Sequence, residues 1–381
     1  MKIALFADTF YPQVNGVANT LNKLVQYYEE KGIEYKIFVP KYDEEQMKTD
    51  GIERFYSIKF IFYPESRITF PNTFRISSVL SDFQPDVIHI MTEFNMGIAG
   101  LNYGKRHGTP TISNYTTNFS QYTDYYNMKF LKNPIWNYMR WFHTQNDVTL
   151  CPSIAAQKLL HSHGIHNTKL FSRGIDYKNF HPMNRSNRLR QELGIGDKIA
   201  FLYVGRVSFE KDLDILSSSY QRIQKKYPDQ TVMIITGDGP YIEKCRQMFP
   251  KDTIFTGFKR GKELSEIYAS SDIFVCPSST ETFGNVVLEA MASGLAVIGA
   301  DAGGVGEIIQ HRVTGLIFQQ RNCESLSTSM EELLQNIEFR DQLKTGGREY
   351  SVNRSWDKIF EGLFDIYEEI IEKRRIHIIG A

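Results

Sequence analysis

The chain reads as an α/β protein with two doubly wound parallel-sheet domains facing a central cleft. Three observations predict this. Short apolar, β-branched runs alternate with longer segments of helical apolar period. The alternation occurs twice, once from residue 2 to 151 and again from residue 198. The length, 381 residues, suits two domains at roughly 150 residues each. In open sheets of this kind ligands bind outside the carboxyl ends of the strands, which is what predicts the cleft.

The elements follow in order. Lys2 to Ala7 is a buried strand, followed by a loop with Pro12, Asn15 and Gly16. Val17, Leu21, Leu24, Val25 and Tyr28 then recur at helical spacing, and Gly32 stops the helix. Glu34 to Val39 is the next strand, ended by Pro40, with further strands at Val87–Ile90, Thr109–Ser113 and Val148–Cys151. Asp176–Gly194, rich in Asn and Arg, has a linker composition. The second unit opens with the strand Lys198–Val204 and a helix after Lys211. Thr231–Ile235 is a strand ended by Gly237-Asp238-Gly239-Pro240. Ile254–Phe255, a helix around Leu264–Tyr268, the strand Asp272–Cys276, a helix near Asn285–Ala292 and the strand Ala296–Ile298 complete it. Phe360, Leu363, Phe364, Tyr367, Ile370 and Ile371 form an apolar stripe on a last helix, which needs a partner surface. The expected domains are 1–178, a linker 179–197, and 198–355, with 356–381 completing the first.

Composition narrows the function. The 44 Lys and Arg balance 44 Asp and Glu, so a nucleic-acid-coating protein is not expected. The four cysteines lie far apart and form no Cys/His cluster, so they read as buried small hydrophobes in a reducing compartment. No apolar run reaches the ~18 residues of a membrane span. Asp8 interrupts the first apolar run too early for a signal peptide. A cytoplasmic protein is expected.

Three constellations carry chemistry. In Ser278-Ser279-Thr280-Glu281-Thr282-Phe283-Gly284-Asn285, a strand end leads into a helix start. The unpaired N–H groups there favour a phosphate. Glu281 can reach a sugar hydroxyl, and Glu289 suits a vicinal diol such as a ribose. The plain alternatives are a helix-terminus acid and a solvated helix residue. In Gly205-Arg206-Val207-Ser208-Phe209-Glu210-Lys211, two cations at a strand end can clamp a pyrophosphate. Surface cations paired with Glu210 and Asp212 are the alternative there. In Asp8–Val17, Gly16 allows close backbone approach at a helix start, or marks a plain strand–helix turn.

Taken together these residues resemble a known family. Glu281-Thr282-Phe283-Gly284-Asn285-Val286-Val287-Leu288-Glu289 looks like the E-x7-E motif of retaining glycosyltransferases of family 4. That family has the GT-B fold, two Rossmann-like domains. Asn15-Gly16-Val17, Gly205-Arg206 through Lys211, Gly237-Asp238-Gly239-Pro240, Tyr268–Asp272, Ala302-Gly303-Gly304 and Thr314-Gly315-Leu316 follow in family order. Ser172-Arg173-Gly174-Ile175-Asp176 and Trp136–His143 are similar to the branch of bacterial glycolipid mannosyl-, glucosyl- and sulfoquinovosyltransferases.

The resemblance implies roles. Arg206 and Lys211 would neutralise the donor diphosphate, and Glu281 would bind hydroxyls of the transferred sugar. Gly16, Gly205, Phe283, Gly284, Asn285 and Val286 would hold phosphates and sugar, and Glu289 the ribose. The base would lie near Gly237 and Phe258. The branch usually has Tyr-His-Thr-Asn/Asp-Phe on its acceptor side. Here the stretch is Asn114-Tyr115-Thr116-Thr117-Asn118-Phe119, with Thr116 in the His place and Tyr122 beyond. Thr donates one hydrogen bond and does not titrate near neutrality. The difference bears on the donor sugar or acceptor, not on the fold.

The implied activity is a metal-independent, cofactor-free hexosyltransferase. It would use a UDP- or GDP-hexose as co-substrate and a hydroxyl of a lipid, glycolipid or saccharide as acceptor. A sugar-nucleotide epimerase is the nearest alternative. A NAD-dependent dehydrogenase lacks its glycine fingerprint after the first strand. Between Tyr122 and Phe142, aromatics (Tyr125, Tyr126, Phe130, Trp136, Tyr138, Trp141) interleave with Lys129, Lys132 and Arg140. That is either a peripheral membrane surface or a partly buried helix pair.

Overall fold

The computed structural model describes residues 1–13, 15–42, 50–59, 67–116, 130, 132–281 and 283–379. Asn118, Tyr122, Tyr125, Tyr126 and Lys129 lie outside the described residues. The chain divides into two units, Met1–Ser172 with Asp357–Ala381, and Arg173–Trp356.

The first unit is built on β1 (Lys2–Phe6), β2 (Glu34–Pro40), β3 (Ile52–Phe55), β6 (Val87–Ile90), β7 (Thr111–Asn114), β8 (Val148–Cys151) and β9 (Thr168–Leu170). Their order is β3-β2-β1-β6-β7-β8-β9, and every pairing is parallel. A separate antiparallel pair, β4 (Ser57–Lys59) and β5 (Arg67–Thr69), stands beside it. Order reverses between β1 and β6, which makes their carboxyl ends the switch point. There Asp8 Oδ2 accepts from the Thr92 hydroxyl at 2.8 Å, and Oδ1 accepts from the Met96 N–H at 3.1 Å. The first helix, Gly16–Lys31, begins because the Asn15 side chain accepts from the Ala18 N–H. It ends at Gly32, whose left-handed backbone (φ +66°) returns its N–H to Glu29 and Tyr28.

The terminal helix, Trp356–Ile379, buries Phe360, Leu363, Tyr367 and Ile370. The Tyr367 hydroxyl meets His89 Nδ1 at 2.6 Å and the Tyr28 hydroxyl at 3.1 Å, and His89 Nε2 meets Asn114 Oδ1 at 3.0 Å. Burial lowers the His89 pKa to about 4, so the ring is neutral.

In the helix Lys132–His143, Trp136, Met139, Phe142 and His143 are buried while Trp141 is exposed. Of the described aromatics in that stripe, Trp136 and Phe142 are core, whereas Phe130 and Trp141 face solvent. Among the described residues, no helix is long and apolar enough to cross a membrane.

The second unit is a six-stranded parallel sheet of β10 (Ile199–Val204), β11 (Thr231–Thr236), β12 (Ile254–Gly257), β13 (Ile273–Cys276), β14 (Ala296–Ala300) and β15 (Leu316–Phe318). The order is β12-β11-β10-β13-β14-β15, so the switch point lies between β10 and β13. Both faces are covered. Ala200, Leu202 and Val204 enter one core with Val287, Leu288 and Met291, whereas Phe201 and Tyr203 enter the other with Leu216 and Tyr220. Cys245 and Cys276 are buried among these side chains, and burial pushes the Cys276 thiol up to about 12.

The stretch 179–197 is not a linker. It lies within the second unit, forms the turn Pro182–Asn184 and the helix Asn187–Glu192, and buries Phe180 and Ile195. Arg185 and Arg190 satisfy backbone carbonyls instead of water. Arg190 donates to Gly196, Lys198 and Ser270 carbonyls and pairs with Asp272 at 3.2 Å. The unit boundary falls at Ser172/Arg173 instead of after residue 178.

Candidate active site

The loops leaving β10, β11, β13 and β14 gather at one end of the second sheet. Two glycines make that possible. A Cβ on Gly237 (φ +136°) would stand 1.9 Å from the Gly205 carbonyl oxygen. A Cβ on Gly303 (φ +52°) would stand 2.3 Å from the Glu281 carbonyl oxygen. Only glycine lets these backbones approach so closely. Hydrogen bonds complete the contact, from Gly205 N–H to Thr236 O (3.0 Å), Gly237 N–H to Gly257 O (2.9 Å) and Gly304 N–H to Glu281 O (2.9 Å).

At the centre, Lys211 Nζ donates to Glu281 Oε1 at 2.6 Å. Seventy residues separate the two in sequence; parallel pairing of β10 with β13 brings their loops together. Glu210 is buried, its carboxylate accepts from the Ser208 hydroxyl at 2.6 Å, and its carbonyl takes the Thr280 hydroxyl at 3.2 Å. Arg206 stands in the same loop, and its carbonyl accepts from the Tyr203 hydroxyl at 2.8 Å.

The helix Asn285–Ala292 starts at Gly284, which is left-handed (φ +100°) and provides no side-chain cap. Phe283 is buried against this start. Among the described residues, the buried Asn285 Oδ1 has no hydrogen-bond partner. Glu289 faces the same helix's neighbour. The Tyr268 hydroxyl donates to Glu289 Oε2 at 2.9 Å and lies 3.4 Å from the Val286 carbonyl. Burial pushes the Glu289 carboxyl up to about 7. Phe258, 57% exposed, follows β12 beside the Gly237 contact.

Of the residues expected in the site, Arg206, Lys211, Glu281, Gly205, Gly237, Phe258, Phe283, Gly284, Asn285, Val286 and Glu289 all lie in this unit. Gly16 and Thr116 lie in the first unit, Gly16 as the opening residue of its first helix and Thr116 two residues past β7. Tyr268, which holds Glu289, stands in the sequence within a predicted helix and at the head of the Tyr268–Asp272 stretch that follows family order, but neither signals this hydrogen bond. Among the described residues, no group of three or more His, Cys, Asp or Glu side chains could hold a metal.

Residues 14–179 match the family described as Glycosyltransferase Family 4, and residues 185–350 match Glycosyl transferases group 1. A sulfoquinovosyl transferase of Arabidopsis thaliana is 32% identical over 402 residues, spanning all of this chain and 76% of that protein. A GDP-mannose-dependent alpha-mannosyltransferase of Mycobacterium tuberculosis is 32% identical over 387 residues, 98% of each chain. The chain belongs to the family 4/group 1 glycosyltransferases.

This glycosyltransferase is also 28% identical, over 84% of its length and 75% of the relative's, to an alpha-monoglucosyldiacylglycerol synthase of Streptococcus pneumoniae. It falls with the glycolipid branch and is a hexosyltransferase. Its fold is GT-B. The Anabaena protein HepE, solved with UDP, superposes with a TM-score of 0.78 at 18% identity, over 97% of this chain and all of that one. A sucrose-phosphate synthase of Thermosynechococcus elongatus gives 0.80 at 18% identity, over 98% and 99%. The epimerase and dehydrogenase alternatives gain no favour from these relatives.

Proposed function

We propose that the enzyme moves a hexosyl unit from UDP- or GDP-hexose to a hydroxyl of a lipid, glycolipid or saccharide, with retention at the anomeric carbon. The carrying observation is the 2.6 Å contact between Lys211 and Glu281. It sets a cation for the diphosphate beside a carboxylate for the sugar. In the step, the bond from the anomeric carbon to the diphosphate oxygen breaks. The acceptor oxygen bonds to that carbon on the same face, and its proton passes to the departing phosphate oxygen. Arg206, Lys211 and the helix start at Gly284 stabilise the charge that develops there, so the reading invokes no metal or cofactor. Asn285 Oδ1, buried and without a partner among the described residues, is an acceptor suited to a sugar hydroxyl. Glu289 accepts from the ribose and Phe258 stacks on the base, with Gly16 retained as a donor-binding candidate. Thr116, Asn118 and Tyr122 are the acceptor-side candidates on this reading. A sulfoquinovosyl transferase, a GDP-mannose-dependent mannosyltransferase and a glycolipid synthase among the relatives support both the donor class and the acceptor class.

Two measurements test this. UDP- or GDP-sugars should raise the melting temperature, because a ligand of the native state alone stabilises it. Lys211→Ala should lower turnover by roughly 10²–10³-fold while the protein still folds. Near-normal turnover of that variant refutes the assignment. The reading also places the enzyme in the cytoplasm, touching the membrane face peripherally through exposed Phe130 and Trp141 beside Lys132 and Arg140. Flotation with anionic vesicles should carry the protein upward; its absence removes the membrane contact.

A further inference from the structure

Asp212 directly follows Lys211, and its carboxylate goes somewhere the sequence does not announce. It occupies the position before the helix Leu213–Lys226, where Asp ordinarily caps. Here it makes no cap hydrogen bond. Its backbone is left-handed (φ +52°), a conformation that side-chain-bearing residues rarely adopt. Asp212 is 5% exposed. Its Oδ2 instead accepts from the Ser279 N–H at 3.0 Å and from the Ser279 hydroxyl at 2.6 Å, across 67 residues of sequence. Its Oδ1 lies 3.5 Å from Arg321 Nε, in the loop after β15. One carboxylate thus joins the loops after β10, β13 and β15. Ser279 stands two residues before Glu281. The Asp212–Ser279 bonds therefore lie next to the Lys211–Glu281 contact and run between the same two loops.

We propose that Asp212 is a positioning residue of the transfer site. It forgoes capping its own helix to hold the Ser279–Glu281 loop against the Lys211 loop, so that Lys211 and Glu281 meet the donor in fixed register. This rests on the reading of Lys211 and Glu281 given above.

The test uses full-length wild type, Lys211→Ala, Asp212→Gly, Asp212→Asn and the Lys211→Ala/Asp212→Gly pair. Glycine suits a left-handed backbone, so Asp212→Gly removes the carboxylate without new backbone strain, and its melting temperature checks the fold. The donor is whichever of UDP-glucose, UDP-galactose, GDP-mannose and ADP-glucose raises the wild-type melting temperature. The readout is release of nucleoside diphosphate with diacylglycerol vesicles present. Asp212→Gly should lower kcat by about 10–100-fold, and Asp212→Asn, which keeps an acceptor oxygen, should recover most of it. In the Lys211→Ala background, Asp212→Gly should add less than about threefold, because residues acting as one unit are not additive. Should Asp212→Gly not fold, Ser279→Ala takes its place, with a loss in kcat and the same failure to add. Wild-type kcat in Asp212→Gly, or its full effect repeated in the Lys211→Ala background, overturns the positioning role and leaves Lys211 standing. Wild-type kcat in Lys211→Ala, or no nucleotide sugar raising the melting temperature, overturns the functional reading, and this proposal with it.

Discussion

Glu289 accepts from the Tyr268 hydroxyl at 2.9 Å in a setting that raises its pKa from 4.5 to about 7. A raised acid binds its proton more tightly in the native state than in the unfolded chain. Between pH 4.5 and 7 the unfolded chain gives up that proton first, so stability falls as pH rises through this window and stays lower above it. Glu289→Gln removes the effect. The variant should melt a few degrees above wild type at pH 8 and close to it at pH 4.5, by calorimetry at both pH values. Nucleotide binding should move the opposite way. A ribose hydroxyl donates, and the ionised carboxylate is the better acceptor. Wild-type affinity for UDP or GDP should therefore rise as pH climbs through about 7, and Glu289→Gln should flatten that rise. An unchanged pH profile in the variant would take Glu289 out of the nucleotide site.

At the scale of elements, the loops at the sheet end depend on backbone contacts. Alanine at 237 would drive its Cβ into the Gly205 carbonyl oxygen at 1.9 Å with φ +136°. Gly237→Ala should therefore destabilise the protein by about 2–4 kcal/mol, measured as a shift in the denaturant midpoint at constant m. The terminal helix offers a pH-dependent counterpart. His89 is held neutral with a pKa near 4, below the ordinary 6.5, inside the Tyr28–Tyr367–His89–Asn114 network. For a lowered pKa the sign reverses. The stability is present above pH 6.5 and is lost as pH falls toward 4. Tyr367→Phe should weaken the anchorage at neutral pH, and the wild-type melting temperature should drop between pH 6.5 and 4.5 more steeply than that of His89→Gln.

These elements also show what the sequence carries. The central strands β1, β10, β11 and β13 are buried on both faces, so they are continuous apolar runs and legible. The edge strands β3 and β9, Ile52-Glu53-Arg54-Phe55 and Thr168-Lys169-Leu170, mix polarity because they are only half-covered, and no period marks them. Lys211 and Glu281 are legible as candidates because they stand in loops after strand ends, and Glu289 because it is an acid on an otherwise apolar helix. Asp212 is not, because its partner lies 67 residues away and a neighbouring Lys offers a simpler counter-ion.

At the scale of the molecule, the two units have different chain architecture. The second is one continuous segment, Arg173–Trp356, whereas the first is assembled from Met1–Ser172 and the returning Asp357–Ala381. The returning helix supplies Phe360, Leu363, Tyr367 and Ile370, all buried, to a unit made otherwise by the amino-terminal half. Burying a large apolar side chain contributes about 1.5–3 kcal/mol. Those four together rival the whole stability of an ordinary domain, about 5–15 kcal/mol. Truncation after Trp356 should therefore unfold the first unit selectively. Hydrogen exchange read by mass spectrometry would show amides of β1 and β6 losing protection while those of β10 and β13 keep it. The donor groups proposed here, apart from Gly16, belong to the second unit. UDP or GDP should accordingly still slow exchange in the loops around Gly237 and Glu281 of the truncated chain, although transfer is lost. Equal loss of protection in β1 and β10 would mean that the chain melts as a single cooperative block, and that the second unit does not hold its nucleotide loops without the first.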